Sequence, residues 1–299
     1  MILFVPASDE FSNEAEEERS AILTIWFCPT CGHEYADTPQ PPALCAICSD
    51  DRQYILPEGQ RWTTLAELQA DRSASITELE PDLSGITVTP KVGIGQRPLL
   101  VRTPGGNLLW EPQGFVDDAL VERLKALGGV AAIASSHPHL TGASITISHL
   151  FGGVPVYYGQ DDQRWLGRPD EVVRFWSDTQ EVLPGLTLVQ CGGHFAGSAV
   201  LHWAAGAEGR GVLLAGDTIR VNADRKTLSF MRSYPNLIPL SPRSINKIVA
   251  ATEPYAYDRI YGGFEGELLA AGAKQAVRFS AERYISWVTD EIQDMDERV

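Results

Sequence analysis

Four of the five cysteines fall in two Cys-x-x-Cys pairs, Cys28-Pro29-Thr30-Cys31 and Cys45-Ala46-Ile47-Cys48, with 13 residues between them. No other feature limits the fold so tightly. A Cys-x-x-Cys turn brings two thiolates within reach of one ion while adjacent backbone N–H groups bond to the sulfurs. Two such turns close a tetrahedron of four thiolates with zinc–sulfur bonds near ~2.3 Å. Gly32, directly after the first pair, suits the tight turn that follows such a knuckle. The pattern predicts a small N-terminal ribbon over residues 21–56 that holds one structural zinc through Cys28, Cys31, Cys45 and Cys48. His33 is predicted on the ribbon surface, because four thiolates already fill the tetrahedron. Cys191 stands alone in the apolar context Leu188-Val189-Gln190-Cys191 and is predicted to pack in the core.

Charge narrows the partners. The 299-residue chain carries a net charge of −15, from 39 acidic and 24 basic residues. Much of that charge lies near the ends, in Asp9, Glu10, Glu14, Glu16, Glu17 and Glu18 and again after residue 290. Phosphate backbones call for clustered Lys and Arg, so nucleic acid is not expected as a partner. No stretch approaches the ~18 apolar residues of a membrane span. The start, Met1-Ile2-Leu3-Phe4-Val5-Pro6, lacks the basic flank of a secretory signal. A cytoplasmic location is expected, where paired cysteines favour metal over disulfides. A small-molecule substrate is the expected partner, and the oligomeric state is left open.

Residues 1–20 read as a flexible acidic tail. Residues 57–85 read as a connecting segment, with a helical pattern from about Trp62 to Leu79, and a body spans 86–299. Within that body, Leu99–Thr103 and Asn107–Trp110 flank Pro104-Gly105-Gly106 as a hairpin. Val116, Leu120, Leu124 and Leu127 recur at helical spacing behind Asp117 and Asp118. Val130–Ala134 is a continuous apolar run, as expected of a strand buried on both faces. Further strands are predicted at 154–158, 186–190, 199–203, 212–215 and 259–261. A long amphipathic helix is predicted through Val277, Ala281, Tyr284, Ile285, Val288 and Ile292. This order suggests two sheets between layers of helices.

Three histidines and one aspartate share a local grammar of apolar strand, small residue and then a metal-competent side chain. Ser135-Ser136-His137-Pro138-His139 follows one strand, Gly192-Gly193-His194 another, and Gly216-Asp217 a third. Three imidazoles and a carboxylate at converging strand ends would make a metal site with room for water. His149 and His202 fall inside predicted elements and are not assigned as ligands. The run Ser229–Pro239 mixes aromatics with Arg232 and either lines the mouth of such a site or packs as a loop.

Two resemblances carry these motifs further. The cysteine pairs locally resemble rubredoxins, which allows iron beside zinc. From about 86 to 288, Ser136-His137-Pro138-His139, Gly193-His194 and Gly216-Asp217 resemble the metallo-β-lactamase superfamily in its order of motifs. The resemblance implies an α+β chain folded as an αββα sandwich, with a metal site at one edge and the small zinc ribbon as an addition. It also implies departures. Thr141 stands where that family has an aspartate, Gly142 where it has a histidine, and Tyr261-Gly262-Gly263-Phe264 where a last histidine would follow; Glu265 and Glu267 lie close by. What remains is a mononuclear site of His137, His139, His194 and Asp217, holding Zn²⁺ or Fe²⁺. The expected activity is a metal-dependent hydrolase acting on an ester, thioester or lactone with these four residues as its catalytic set. The alternatives are a non-haem iron oxygenase like the persulfide dioxygenases and an inactive binding or scaffold protein with a structural zinc ribbon.

Overall fold

The computed structural model describes residues 23–292; the acidic tail expected over 1–20 lies outside the described residues. Two twisted sheets face each other. The first runs in the order Ser73–Glu80, Leu83–Thr89, Leu99–Thr103, Gly106–Trp110, Ala132–Ala134, Val156–Gly159, Val173–Trp176. The second runs Thr179–Leu183, Leu186–Gln190, Ala199–Trp203, Val212–Gly216, Arg259–Gly262, Leu268–Leu269. The predicted hairpin is there, with Leu100 opposite Leu109 and Val101 opposite Leu108.

Side-chain alternation assigns the layers. Leu108 and Trp110 point between the sheets to meet Leu188, Leu201 and Leu214, while Leu109 points outward to Leu120, Leu124 and Ile145. On the second sheet Leu213 faces outward against Ile245, Ile248 and Val277. Strands with apolar residues on both faces are buried on both faces, which explains the continuous runs in the sequence. Parallel neighbours need crossovers, and helices supply them. Asp118–Ala126 links Gly106–Trp110 to Ala132–Ala134, and Pro242–Thr252 lies between Val212–Gly216 and Arg259–Gly262. Each starts on a side-chain cap, Asp117 accepting from the Leu120 N–H and Ser241 from the Ser244 N–H. The last helix, Ala273–Val288, closes the outer layer. The result is an αββα sandwich.

Two sequence expectations need correction. The helix expected within Trp62–Leu79 is there as Leu65–Gln69, but the connecting segment expected with it contains the strand Ser73–Glu80, paired along Leu83–Thr89. Its alternation of Ala74 and Ile76 against polar neighbours is a period-two signal, and the β-branched Ile76 and Thr77 favour the extended form. His33 is buried rather than on the ribbon surface. The ribbon, with the hairpin Thr24–Phe27 and Glu34–Thr38, docks on the body and His33 lies in the seam. Close approach there depends on glycine: a Cβ on Gly114 would collide with the Gly32 carbonyl. Glu34, also buried, accepts from the N–H groups of Ile145 and Thr146 at the start of the Ser144–Leu150 helix, and Arg168 pairs with it at 2.9 Å. Among the described residues no helix is long and apolar enough to cross a membrane.

Candidate metal centres

Two groups of side chains bring metal-competent atoms within 4.8 Å of one another: Cys28, Cys31, Cys45 and Cys48, and His137, His139, His194 and Asp217. All eight residues are buried.

In the ribbon the Cys28 and Cys48 sulfurs lie 3.7 Å apart, as do those of Cys31 and Cys45. That is far beyond a disulfide bond, and it matches the roughly 3.8 Å edge of a tetrahedron built on ~2.3 Å metal–sulfur bonds. Crowding splits the thiols. Hydrogen bonds from Cys31, Cys45 and Cys48 push Cys28 far down, and the bond to Cys28 pushes Cys31 and Cys48 far up. A divalent ion removes this conflict by holding all four as thiolates. Tyr35 donates to the Cys45 sulfur at 3.1 Å, and Ile47, Trp26, Trp62 and Trp165 wall the cluster. The arrangement is closed.

The histidine group sits at the edge between the sheets. Ala132–Ala134 of the first sheet leads into His137 and His139, while Leu186–Gln190 and Val212–Gly216 of the second lead to His194 and Asp217. Burial holds the imidazoles neutral, the form that ligates: His194 is pushed down to about 4, and His137 and His139 well below their ordinary value. Backbone and side-chain acceptors select the tautomers. The His194 Nδ1–H donates to the Met231 carbonyl at 3.0 Å, which leaves Nε2 bare and 3.4 Å from His139 Nδ1. That separation matches the roughly 3.3 Å edge expected for metal–nitrogen bonds of ~2.0–2.1 Å. Ser136 donates to Glu111 Oε1 at 2.5 Å and so accepts from His137 Nδ1–H at 2.8 Å. His137 Nε2 is then free and lies 3.9 Å from Asp217 Oδ2. His137 Nε2 and Asp217 Oδ1 are buried and find no hydrogen-bond partner among the described residues. Buried polar atoms of native proteins rarely stay unpaired, so these orphans fit a site built for an ion. Burial raises Asp217 to about 7 and Glu111 to about 8.

The Glu111–Ser136–His137 chain was not legible as such in the sequence. Its one signal was a charged residue closing the apolar strand Gly106–Trp110, and Glu111 there takes a left-handed φ of 56°. Thr141, Gly142 and the Glu265–Glu267 stretch, where the sequence departs from the metallo-β-lactamase motifs, are otherwise engaged. Thr141 accepts from His33 Nδ1–H at 2.6 Å and donates to the Pro138 carbonyl at 3.0 Å. Gly142 has φ +46°, and a Cβ on it would collide with the Pro112 carbonyl. Glu267 is tied to Arg220 at 2.9 Å, and Glu265 lines the neighbouring cleft. His149 is half exposed and pairs with Asp170, and His202 donates from its strand to the Ala256 carbonyl. Cys191 is buried in the core as expected.

Unlike the ribbon, this centre opens. His139, His194 and Asp217 form part of a cavity of about 380 Å³ whose wall includes Lys91, Arg220, Tyr234 and Phe264. The Arg220 guanidinium lies 4.7 Å from the Tyr234 ring centre and 4.9 Å from that of Phe264. Tyr234 and Pro235 come from the Ser229–Pro239 run, which therefore lines the mouth.

No family model matches the chain. An uncharacterized protein, YmaE of Bacillus subtilis (strain 168), is 41% identical over 273 residues, covering 90% of this chain and 99% of its own. Among solved structures, VMB-1 is similar at a TM-score of 0.54 and 16% identity, over 72% of this chain and 98% of that one. DIM-1 metallo-beta-lactamase, in a structure exposed to ceftazidime, reaches 0.51 at 15% identity, over 71% of this chain and 97% of that one. The sandwich is thus of the metallo-β-lactamase type.

Proposed function

The chain belongs to the family of Bacillus subtilis YmaE, and from that premise we propose that it is a metal-dependent hydrolase with one catalytic ion beside a structural zinc. The reading rests on one observation. Three neutral imidazoles and the Asp217 carboxylate come within 4.8 Å of one another beside an open cavity large enough for a small molecule. His137, His139, His194 and Asp217 would hold the ion, and Cys28, Cys31, Cys45 and Cys48 the zinc. A divalent ion so held lowers the pKa of bound water towards about 7 and polarises a carbonyl.

The rest falls to the chain's own side chains. Asp217, the buried carboxylate on the cavity wall, would help orient the attacking water as well as hold the ion, with Arg220 3.9 Å from its Oδ1. Glu111 acts one layer back, fixing the His137 ring through Ser136. Lys91 puts positive charge on the wall, which suits an acyl compound bearing an anionic group. Thr141, tied up by His33 and Pro138, has no free basic atom to offer.

The test is metal content of the wild type and of a His137→Ala/His194→Ala variant, followed by an ester, thioester and lactone panel. Two zincs falling to one, with activity lost, supports the hydrolase. One zinc plus one iron, the iron lost in the variant, would replace it with a non-haem iron oxygenase. A single zinc in both proteins would leave a binding module.

A further inference from the structure

The segment leaving the second knuckle runs directly onto the histidine centre. Four residues after Cys48, Arg52 is buried, its Nε donates to the His194 carbonyl at 2.6 Å, and its guanidinium lies 4.3 Å from the centre of the Phe195 ring. Asp50 orients that guanidinium from below, at 2.5 Å. The same segment is fastened to the wall of the site at three further points. Ser233 donates to the Arg52 carbonyl at 3.0 Å, Asn236 Nδ2 donates to the Asp51 and Gln53 carbonyls, and Arg232 pairs with Asp51 at 2.8 Å. The next two residues, Gln53 and Tyr54, join Thr30 of the first knuckle in lining the cavity.

His194 thus has two restraints. Met231 fixes its ring through Nδ1, and Arg52 fixes its backbone through the carbonyl. A ligand displaced by ångströms no longer meets the ion, and loss of an outer partner of a metal ligand typically costs 10–100-fold in affinity. The Arg52 backbone, in turn, is anchored on one side by Cys48, whose place depends on the metal of the thiolate cluster.

We propose that Arg52 is a positioning residue for the histidine centre, and that the ribbon's metal holds it in place, so that a loaded ribbon tightens the histidine centre's hold on its own ion. The inference rests on the reading that both centres bind metal. It makes the ribbon a working part of the site, with a thiolate cluster controlling how well a histidine cluster keeps its ion.

The test uses full-length protein loaded with cobalt(II) and titrated with a chelator. The thiolate-to-cobalt charge-transfer band reports the ribbon, and elemental analysis reports the total. For Arg52→Met, which keeps a side chain over Phe195 but has no donor, the expected result is a histidine centre that loses its ion at about 10–100-fold lower chelator concentration. The ribbon band should match that of the wild type. Arg52→Lys, which restores a donor and a charge, should recover part of the loss. Cys48→Ser should lose the ribbon band and weaken the histidine centre to the same degree as Arg52→Met. If Arg52→Met holds both ions as tightly as the wild type, the inference is overturned while the hydrolase reading stands. A wild type that binds cobalt in the ribbon alone would remove the histidine centre, and the inference with it.

Discussion

The ribbon and the histidine centre use the same number of donors, yet they differ in how they are built and in what surrounds them. The ribbon draws four like side chains from a stretch of 21 residues and shuts them behind Tyr35, Ile47 and three tryptophans. The histidine centre gathers unlike donors from three strand ends spread over 81 residues, and one side of it stays open to a cavity. A closed tetrahedron leaves no position for a substrate, whereas an open one does. The contrast teaches that donor type and enclosure change together: the thiolate group is walled in, and the histidine group faces a cavity.

Four experiments would break or sharpen that contrast. The largest effect is expected in the His137→Ala/His194→Ala variant. Losing the ion there should remove several kcal/mol of transition-state stabilisation, about 10³-fold or more in hydrolysis rate, with the ribbon's metal retained. If both metals left together, the centres would be one unit and not two. Next is Glu34→Gln, which strips the carboxylate from a buried pair with Arg168. Denaturant unfolding should show a loss of about 1–3 kcal/mol, because buried Glu34 loses its charge-assisted bonds to half-buried Arg168 and to the Ile145 and Thr146 N–H groups. An unchanged midpoint would mean the ribbon's docking adds nothing to the stability of the body.

Smaller again is Ser136→Ala, which cuts the link between Glu111 and His137. Competition with a chelator should reveal about 10–100-fold weaker binding at the histidine centre and no change at the ribbon. Equal affinities would show that the His137 ring is held by packing against Phe195 alone. The smallest effect should come from Thr64→Ala. This removes half of a capping box between the ribbon and the first sheet, and thermal unfolding should register about 1 kcal/mol with both metals kept.

Legibility in the sequence followed the range of the interactions. The four-cysteine group, the hairpin over Leu99–Trp110 and the helix Asp118–Ala126 are written in short spacings, and all three stand where those spacings place them. His137, His139, His194 and Asp217 were legible one by one, because each follows an apolar strand, and the topology brings them together. Three features were not. Ser73–Glu80 reads as helix or connector because its apolar residues are few and its exposed face is polar. His33 reads as ribbon surface and Arg52 carries no signal of its own until the ribbon meets the body, and no local spacing encodes that seam. Glu111 is a lone carboxylate at a strand end, and its link to His137 passes through a serine 25 residues away.

The crowding around Gly142 has a consequence for anyone wishing to build a second metal site on this scaffold. A histidine at 142 would strike the Pro112 carbonyl, and an aspartate at 141 would give up the hydroxyl proton that the Pro138 carbonyl receives. Each change therefore costs the Pro138–Gly142 turn a contact before it adds a donor, and a designer would have to reshape that turn first.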